Sequence, residues 1–423
     1  MLKADLLIHS AGQLLTLAGG RQAGKSLGEL GLIEDGAIAI EGEHIVAAGP
    51  TKALAQEVEA GEVVDAAGRV VMPGFVDPHT HLIWAGDRAH EFEQRLAGVP
   101  YLDILKQGGG ILYTVEQTRR ASLERLIDGG RQRLQRMLAL GTTTVEAKTG
   151  YGLELESELR MLQAILMLDD EGPWDLVPTL LAGHAIPPEY KADPDGYVEL
   201  VCNRMLPEVE RWWLEHSGGR ALPFVDVFCE EGAFGLAQSE RMLRAAAGLG
   251  FPRKVHADEF EALGGSSLAA ELGAVSVDHL VATTEADMRA LGKSGTVAVS
   301  LPATPFGLGQ TNYTPAGRLL QAGATLALAT DLNPGTAPGE SMQFVLALAC
   351  RYLKLTPAEA IAAATINAAA AVGLEHDRGS LEPGKLADAL ILDVDDYRQL
   401  GYCFGGNLVR QVYKRGRLVV ERA

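Results

Sequence analysis

The sequence predicts an α/β fold, a (β/α)8 TIM-type barrel with a smaller β domain assembled from both chain ends. Three observations predict it. Eight short apolar, β-branched runs alternate with helical stretches through the middle of the chain. Nearly all of these runs end in polar residues. The two chain ends share a different texture of strands and Gly-rich turns. A chain of 423 residues is also long enough to bury a large core.

From Met1 to about Arg69, the runs DLLIHS, LLTLA, GAIAIEGEHIVAAG and EVVDAAG alternate apolar and polar residues between turns. From about Gly379, ADALILDVDD and NLVRQVYKRGRLVVERA have the same pattern, and VYKRGRLVV reads as a hairpin around Arg415 and Gly416. Chain ends often lie close together, so the two stretches can pair. The expected domain limits are 1–70 and 371–423 for the β domain and 71–370 for the barrel.

The eight barrel strands are read in GRVVMPGFVDPHTH, GTTTVEAKTG, WDLVPTLLAGHA, FVDVFCEEGAF, RKVHADE, AVSVDHL, TVAVSLPA and TLALATD. SLERLIDGGRQRLQRMLALG, ELESELRMLQAILMLDD and SERMLRAAAGLG are apolar at helical spacing and stop near Gly. An open doubly wound sheet would gather its chemistry at one switch point. Here chemistry-bearing residues end nearly every strand, as at the mouth of a barrel. The run Gly108 to Gly110 follows no strand, so it is read as a mobile loop and not as a nucleotide site.

The 37 basic and 55 acidic residues leave a net charge of -18. That balance speaks against nucleic acid or an anionic membrane as the main partner. The four cysteines, Cys202, Cys229, Cys350 and Cys403, form no CxxC and fit a reducing compartment, with Cys229 read as a core thiol. Asp5 and His9 interrupt the stretch where a signal peptide would need an apolar run. No stretch approaches the ~20 apolar residues of a membrane helix. The expectation is a cytoplasmic protein acting on a small molecule.

His79 and His81 are two residues apart in VDPHTH, so on a strand both rings point to one face. Asp77 shares that face and is a supporting candidate. His256 ends the fifth strand, His279 the sixth, and Asp331 the eighth. Any one of these histidines could be a hydrogen-bonded core residue, but convergence of four on one barrel mouth favours a metal. His79, His81, His256 and Asp331 are assigned as ligands, with His279 beside them, bonding the water or the leaving oxygen. A second metal would need a bridging group such as a carboxylated lysine. The fourth strand has no lysine, and Lys148 in the second unit is expected at the surface or against substrate. One divalent metal ion is therefore predicted; three nitrogens and an oxygen suit zinc, iron or manganese.

The order HTH, His, His, Asp resembles the amidohydrolase superfamily, and GSLEPGKLADALILD is similar to its C-terminal strand entry. The resemblance implies that the β domain is a small β-sandwich. HTHLIWAGDRAHEFEQRLAGVPYLDILKQGGGILYTVEQTR, VEAKTGYGLELESELRML, LLAGHAIPPEY, HADEF and ATDLNPGT resemble the imidazolonepropionase family of histidine degradation, over nearly the whole chain. The implied reaction is hydrolysis of the cyclic amide of 4-imidazolone-5-propanoate to N-formimidoyl-L-glutamate, with zinc or iron as metal and a homodimer as assembly. A propionate tail calls for a cation, and Arg88 can grip a carboxylate in a bidentate way. Tyr151 and His184 resemble the family's substrate contacts. Asn333, Gly335 and Thr336 offer polar partners to the substrate or cap their own loop.

Glu259 is placed to carry a proton to the leaving nitrogen, or to satisfy backbone N–H groups at a helix start. The implied mechanism has activated water attack the ring carbonyl. Asp331 and His279 orient and deprotonate that water, and Glu259 passes the proton to nitrogen. The alternatives are another single-metal cyclic amidohydrolase, a ring deaminase, or a catalytically silent scaffold of the same superfamily.

Overall fold

A computed structural model of the chain describes residues 1–99 and 109–422. Eight parallel strands form the barrel: β6 (Phe75–Asp77), β7 (Thr142–Lys148), β8 (Asp175–Gly183), β9 (Phe224–Cys229), β10 (Lys254–Ala257), β11 (Ser276–His279), β12 (Val297–Ser300) and β13 (Thr325–Leu328). They neighbour one another in sequence order from β6 to β13. Each falls within a run read from sequence, but the first run, GRVVMPGFVDPHTH, is divided: its Val70–Pro73 part joins the second sheet and only Phe75–Asp77 enters the barrel. The seam between β13 and β6 is closed just beyond the strands. Asp331 N–H donates to His79 C=O at 3.1 Å, and His81 N–H donates to Leu332 C=O at 2.8 Å.

The helices form for local reasons and bury one face each. Leu123–Ala139 starts at Ser122, whose hydroxyl accepts from Arg125 N–H, and it buries Leu126, Ile127, Leu134, Met137 and Leu138. Leu155–Glu171 packs beside it and buries Met161, Leu162, Ile165 and Leu168. A Cβ at Gly130 would lie 2.6 Å from Leu168, so glycine lets the two helices approach. The main core fills the space between barrel and helices. No helix among the described residues is long and apolar enough to cross a membrane.

The chain ends build a second, mixed sheet. Its strands are β1 (Leu2–Leu15), β2 (Leu32–Glu41), β3 (His44–Pro50), β4 (Val58–Asp65), β5 (Val70–Pro73), β14 (Ala389–Leu392), β15 (Val409–Lys414) and β16 (Arg417–Glu421). The order is β16-β15-β14-β5-β1-β2-β3, with β4 also paired to β1. The two ends meet where β14 pairs antiparallel with β5. The β15–β16 hairpin turns at Arg415 and Gly416, both at positive φ, as the sequence suggests. DLLIHS and the first two residues of LLTLA, read as two strands, belong to the single strand β1, which ends at Leu15. A register shift between Ile8 and Ala11, with Ser10 at φ 56, bends it.

An ionic cluster fastens this sheet to the start of β8. Asp175 is paired with Lys414 (2.6 Å), Arg415 (2.9 Å) and Arg378. Lys414 also reaches Asp388 at 2.6 Å. Of the run Gly108 to Gly110, Gly108 lies outside the described residues. Gly110, at φ 75, immediately precedes the helix Ile111–Arg120.

Candidate metal-dependent active site

The barrel interior is polar at its upper end. His79 and His81 follow β6, and Asp331 follows β13 by three residues, so all three stand just past their strand ends. The alternation expected for HTH as part of a strand thus gives way to an extended segment, but both rings still face the barrel axis, 5.5 Å apart. His256 lies within β10 and His279 ends β11. His79 Nε2 is 3.4 Å from Asp331 Oδ1, His81 Nε2 is 3.5 Å from the same oxygen, and His256 Nε2 is 3.5 Å from His81 Nε2. All four residues are buried.

The donor set fits a metal ion. Tetrahedral donors about 2.1 Å from a central ion stand about 3.4 Å from one another. His79 Nε2 and Asp331 Oδ1 are buried with no hydrogen-bond partner among the described residues. An orphaned pair of this kind would be costly unless something else occupied the gap. Burial and Lys148 pull the His79 pKa down, but Asp278 and Asp331 hold it above the ordinary histidine value. Asp331 stays well below the usual carboxylate range despite burial, because His79 and His81 favour its anion. Burial pushes His81, His256 and His279 below the ordinary histidine value, which leaves their rings as neutral nitrogen donors beside the Asp331 carboxylate. His279 shares the cluster, with a ring nitrogen within 4.8 Å of those of His79 and His256.

The residues that hold these ligands were not read from the sequence. Asp278 Oδ2 accepts from His79 Nδ1 at 2.6 Å, and Asp226 Oδ2 lies 2.9 Å from His256 Nδ1. Thr304 Oγ1 donates to Asp331 Oδ2 at 2.5 Å, leaving Oδ1 to face the histidines. Such partners fix ring orientation and ligand basicity. Lys148 requires a correction. It is not at the surface. It is fully buried, 2.7 Å from both Glu146 and Asp226 and 3.9 Å from Asp278. Lys254 is equally buried and donates to Pro78 C=O at 2.6 Å. In TTTVEAK the inward positions Thr144, Glu146 and Lys148 alternate with apolar ones, which was the available signal. Asp77 turns to the seam, where it accepts from Thr330 N–H and Oγ1, and burial raises its pKa to about 7.

The proposed substrate side lies beside the ligands. Tyr151 and His184 occupy the loops after β7 and β8, with ring centroids 5.3 Å apart. His184 stacks on His81 at 4.7 Å. Burial raises the Tyr151 hydroxyl pKa and pushes His184 well below the ordinary histidine value. Arg88 donates from Nε to Glu91 at 2.8 Å, and its Nη1 lies where a Cβ on Gly335 would be, only 2.2 Å from that position. Asn333 caps its own loop: its side chain accepts from Gly335 and Thr336 N–H at 2.8 Å each and donates to Asp331 C=O and Thr336 Oγ1.

Glu259 is not at a helix start, because the next helix begins at Gly265. The backbone-satisfying role belongs to Glu230, which accepts from Phe260 and Glu261 N–H. Burial, with Asp331 and Glu230 nearby, lifts Glu259 well above the ordinary glutamate value. Its carboxyl stands 3.7 Å from His279 Nδ1. Asp258, His279 and Asp331 all adopt positive φ at these strand ends, the kind of strain that concentrates at functional sites. Cys229 is buried against Gly265 and acts as a core thiol.

Residues 240–419 and 62–100 match profiles described as amidohydrolase family. The chain is 52% identical over 420 residues to an imidazolonepropionase from Chloroflexus aggregans, covering 98% of each chain. It is 50% identical over 417 residues to one from Herpetosiphon aurantiacus, covering 98% of this chain and 97% of that one. Among solved structures, a zinc-bound adenosine deaminase from Xanthomonas campestris superposes with a TM-score of 0.74 at 22% identity. That match covers 99% of this chain and 94% of the other. E. coli guanine deaminase gives 0.74 at 18%, covering 99% of both. At those identities the structural likeness speaks for the fold alone.

Proposed function

The chain belongs to the imidazolonepropionase family within the amidohydrolases, and from that premise we propose that its barrel mouth opens the cyclic amide of 4-imidazolone-5-propanoate. It is a hydrolase of carbon–nitrogen bonds. Water adds its oxygen to the ring carbonyl carbon, the bond from that carbon to the ring nitrogen breaks, and the nitrogen leaves with a proton. The product is N-formimidoyl-L-glutamate.

The observation that carries the reading is the convergence of four donor atoms, with the Glu259 carboxyl 3.7 Å from His279 beside them. His79, His81, His256 and Asp331 would hold one divalent ion, zinc or iron, per subunit. Bound there, such an ion supplies Lewis acidity and activates water at neutral pH. Asp331 and His279 orient the attacking water and take its proton. Glu259, whose pKa burial raises, passes a proton to the departing ring nitrogen as general acid. Tyr151 and His184 position the ring, and the Arg88 guanidinium grips the propionate in bidentate fashion. The family resemblance makes a cytoplasmic homodimer the expected working form.

The test follows loss of imidazolone absorbance with and without a chelator, alongside elemental analysis and an ammonia assay. Ring opening that stops on chelation and returns with metal supports the proposal. Ammonia release without ring opening, or turnover indifferent to chelation, overturns it. His279→Ala with metal retained and full turnover would remove that residue from the mechanism.

A further inference from the structure

One buried carboxylate has no part in the chemistry above. Glu158 lies in the first turn of the helix Leu155–Glu171 and is fully shielded from solvent. Its partners are backbone N–H groups of a single loop: Gly150 at 3.1 Å, Gly152 at 2.8 Å and Leu153 at 2.7 Å. The loop is held in an uncommon shape, with Gly150 at φ 97 and Leu153 at φ 53. A Cβ at Gly150 would sit 2.9 Å from Leu181 C=O and 3.0 Å from His184 Nδ1, so this loop and the one after β8 are in close contact. Arg119 donates to Gly152 C=O at 2.6 Å, and the Tyr197 hydroxyl lies between Leu153 C=O and Ala182 C=O. The loop's polar backbone is thus committed on both sides, and it carries Tyr151.

The same loop dictates the state of a histidine. Gly150 C=O lies 3.0 Å from His184 Nδ1. A carbonyl oxygen can only accept, so Nδ1 must carry the proton. In the neutral ring Nε2 is then an acceptor, and it has no hydrogen-bond partner among the described residues. We propose that Glu158 is a positioning residue that sets the hydrogen-bonding sense of the substrate pocket. By pinning Gly150, it keeps His184 as the Nδ1–H tautomer and presents Nε2 to a ring N–H donor of the substrate. The pocket therefore selects cyclic amides that carry an N–H at that position over N-alkylated or acceptor-only analogues.

This selectivity rests on the reading of the site as an imidazolone hydrolase, whereas the tautomer can be measured without turnover. The experiment uses the zinc-loaded enzyme with 15N-labelled histidine, with His184 assigned by its loss in H184Q. The expected spectrum shows His184 protonated at Nδ1 in the parent and a mixture of tautomers in Glu158→Gln. KM is expected to rise about tenfold in that variant, the equivalent of one hydrogen bond misplaced at the substrate, while kcat falls less than about threefold. Metal content should match the parent, which separates loop positioning from damage to the ligands. An Nε2–H tautomer in the parent overturns the proposal, and so does a folded E158Q with parental KM and parental tautomer. E158D keeps the charge in the same helix turn; if E158Q does not fold, unchanged KM and tautomer in E158D overturn it equally. A parent that shows the expected tautomer yet fails to open the imidazolone ring refutes the functional reading and leaves the tautomer assignment standing.

Discussion

Asp278→Asn isolates the contribution of the residues behind the ligands. Asp278 Oδ2 accepts from His79 Nδ1–H at 2.6 Å in a fully buried setting, and its charge also faces Lys254 at 3.8 Å and Lys148 at 3.9 Å. The asparagine oxygen can still accept from Nδ1–H, but without charge. A hydrogen bond to an ionised group is worth about 1.5–3 kcal/mol, against about 0.5–1.5 kcal/mol for a neutral one. The difference, about 1–1.5 kcal/mol, corresponds to roughly tenfold in an equilibrium constant. Removing one negative charge from behind a cation site acts in the same direction. Metal affinity is therefore expected to fall about 10- to 30-fold, inside the roughly 10- to 100-fold range for lost ligand support. Competition against a chromogenic chelator measures it, and denaturant midpoints of the metal-free proteins check that the barrel survives. Affinity within twofold of the parent, in a folded variant, would refute the view that Asp278 tunes His79.

Two other perturbations address the pocket and the domain junction. Gly335→Ala places a methyl 2.2 Å from the present position of Arg88 Nη1, so the guanidinium must move. KM is expected to rise by roughly 10- to 100-fold with less change in kcat, as misplacement by about 1 Å can cost that much; an analogue lacking the carboxylate should not notice, and an unaltered KM for the acid would refute the clamp. Asp175 is held at a pKa of about 2 despite burial, because Lys414, Arg378 and Arg415 favour its anion. With its folded pKa below the unfolded value of 3.8, its stabilisation of about 2 kcal/mol is present above pH 4 and is lost as pH falls from 4 towards 2. The Tm gap between parent and Asp175→Asn should close across that window, and a gap that stays constant would refute the assignment.

Much of this organisation was legible in the residues. Strand runs ending in HTH, KVHADE, SVDHL and LALATD marked the barrel mouth, because period-two alternation and strand-end polarity are local signals. The support beneath them was harder to read. Lysine is usually solvent-exposed, so Lys148 looked like a surface or substrate residue. Its burial depends on Asp226 and Asp278, which the fold brings from other strands. The Asn333 loop shows the same limit: the bonds its amide makes to Gly335 and Thr336 N–H depend on a turn geometry that sequence does not encode locally. Positive φ at Asp258, His279 and Asp331 is likewise invisible in composition, since none of them is glycine.

The pairing of β5 with β14 has a consequence for the birth of the molecule. Strand β5 ends at Pro73, and its antiparallel neighbour begins at Ala389. On the ribosome, the first sheet therefore waits for more than three hundred residues of barrel to be synthesised before that edge is covered. An open strand edge during such an interval invites pairing with other chains. The β15–β16 hairpin, with Lys414 and Arg415 locking onto Asp175, joins the sheet later still.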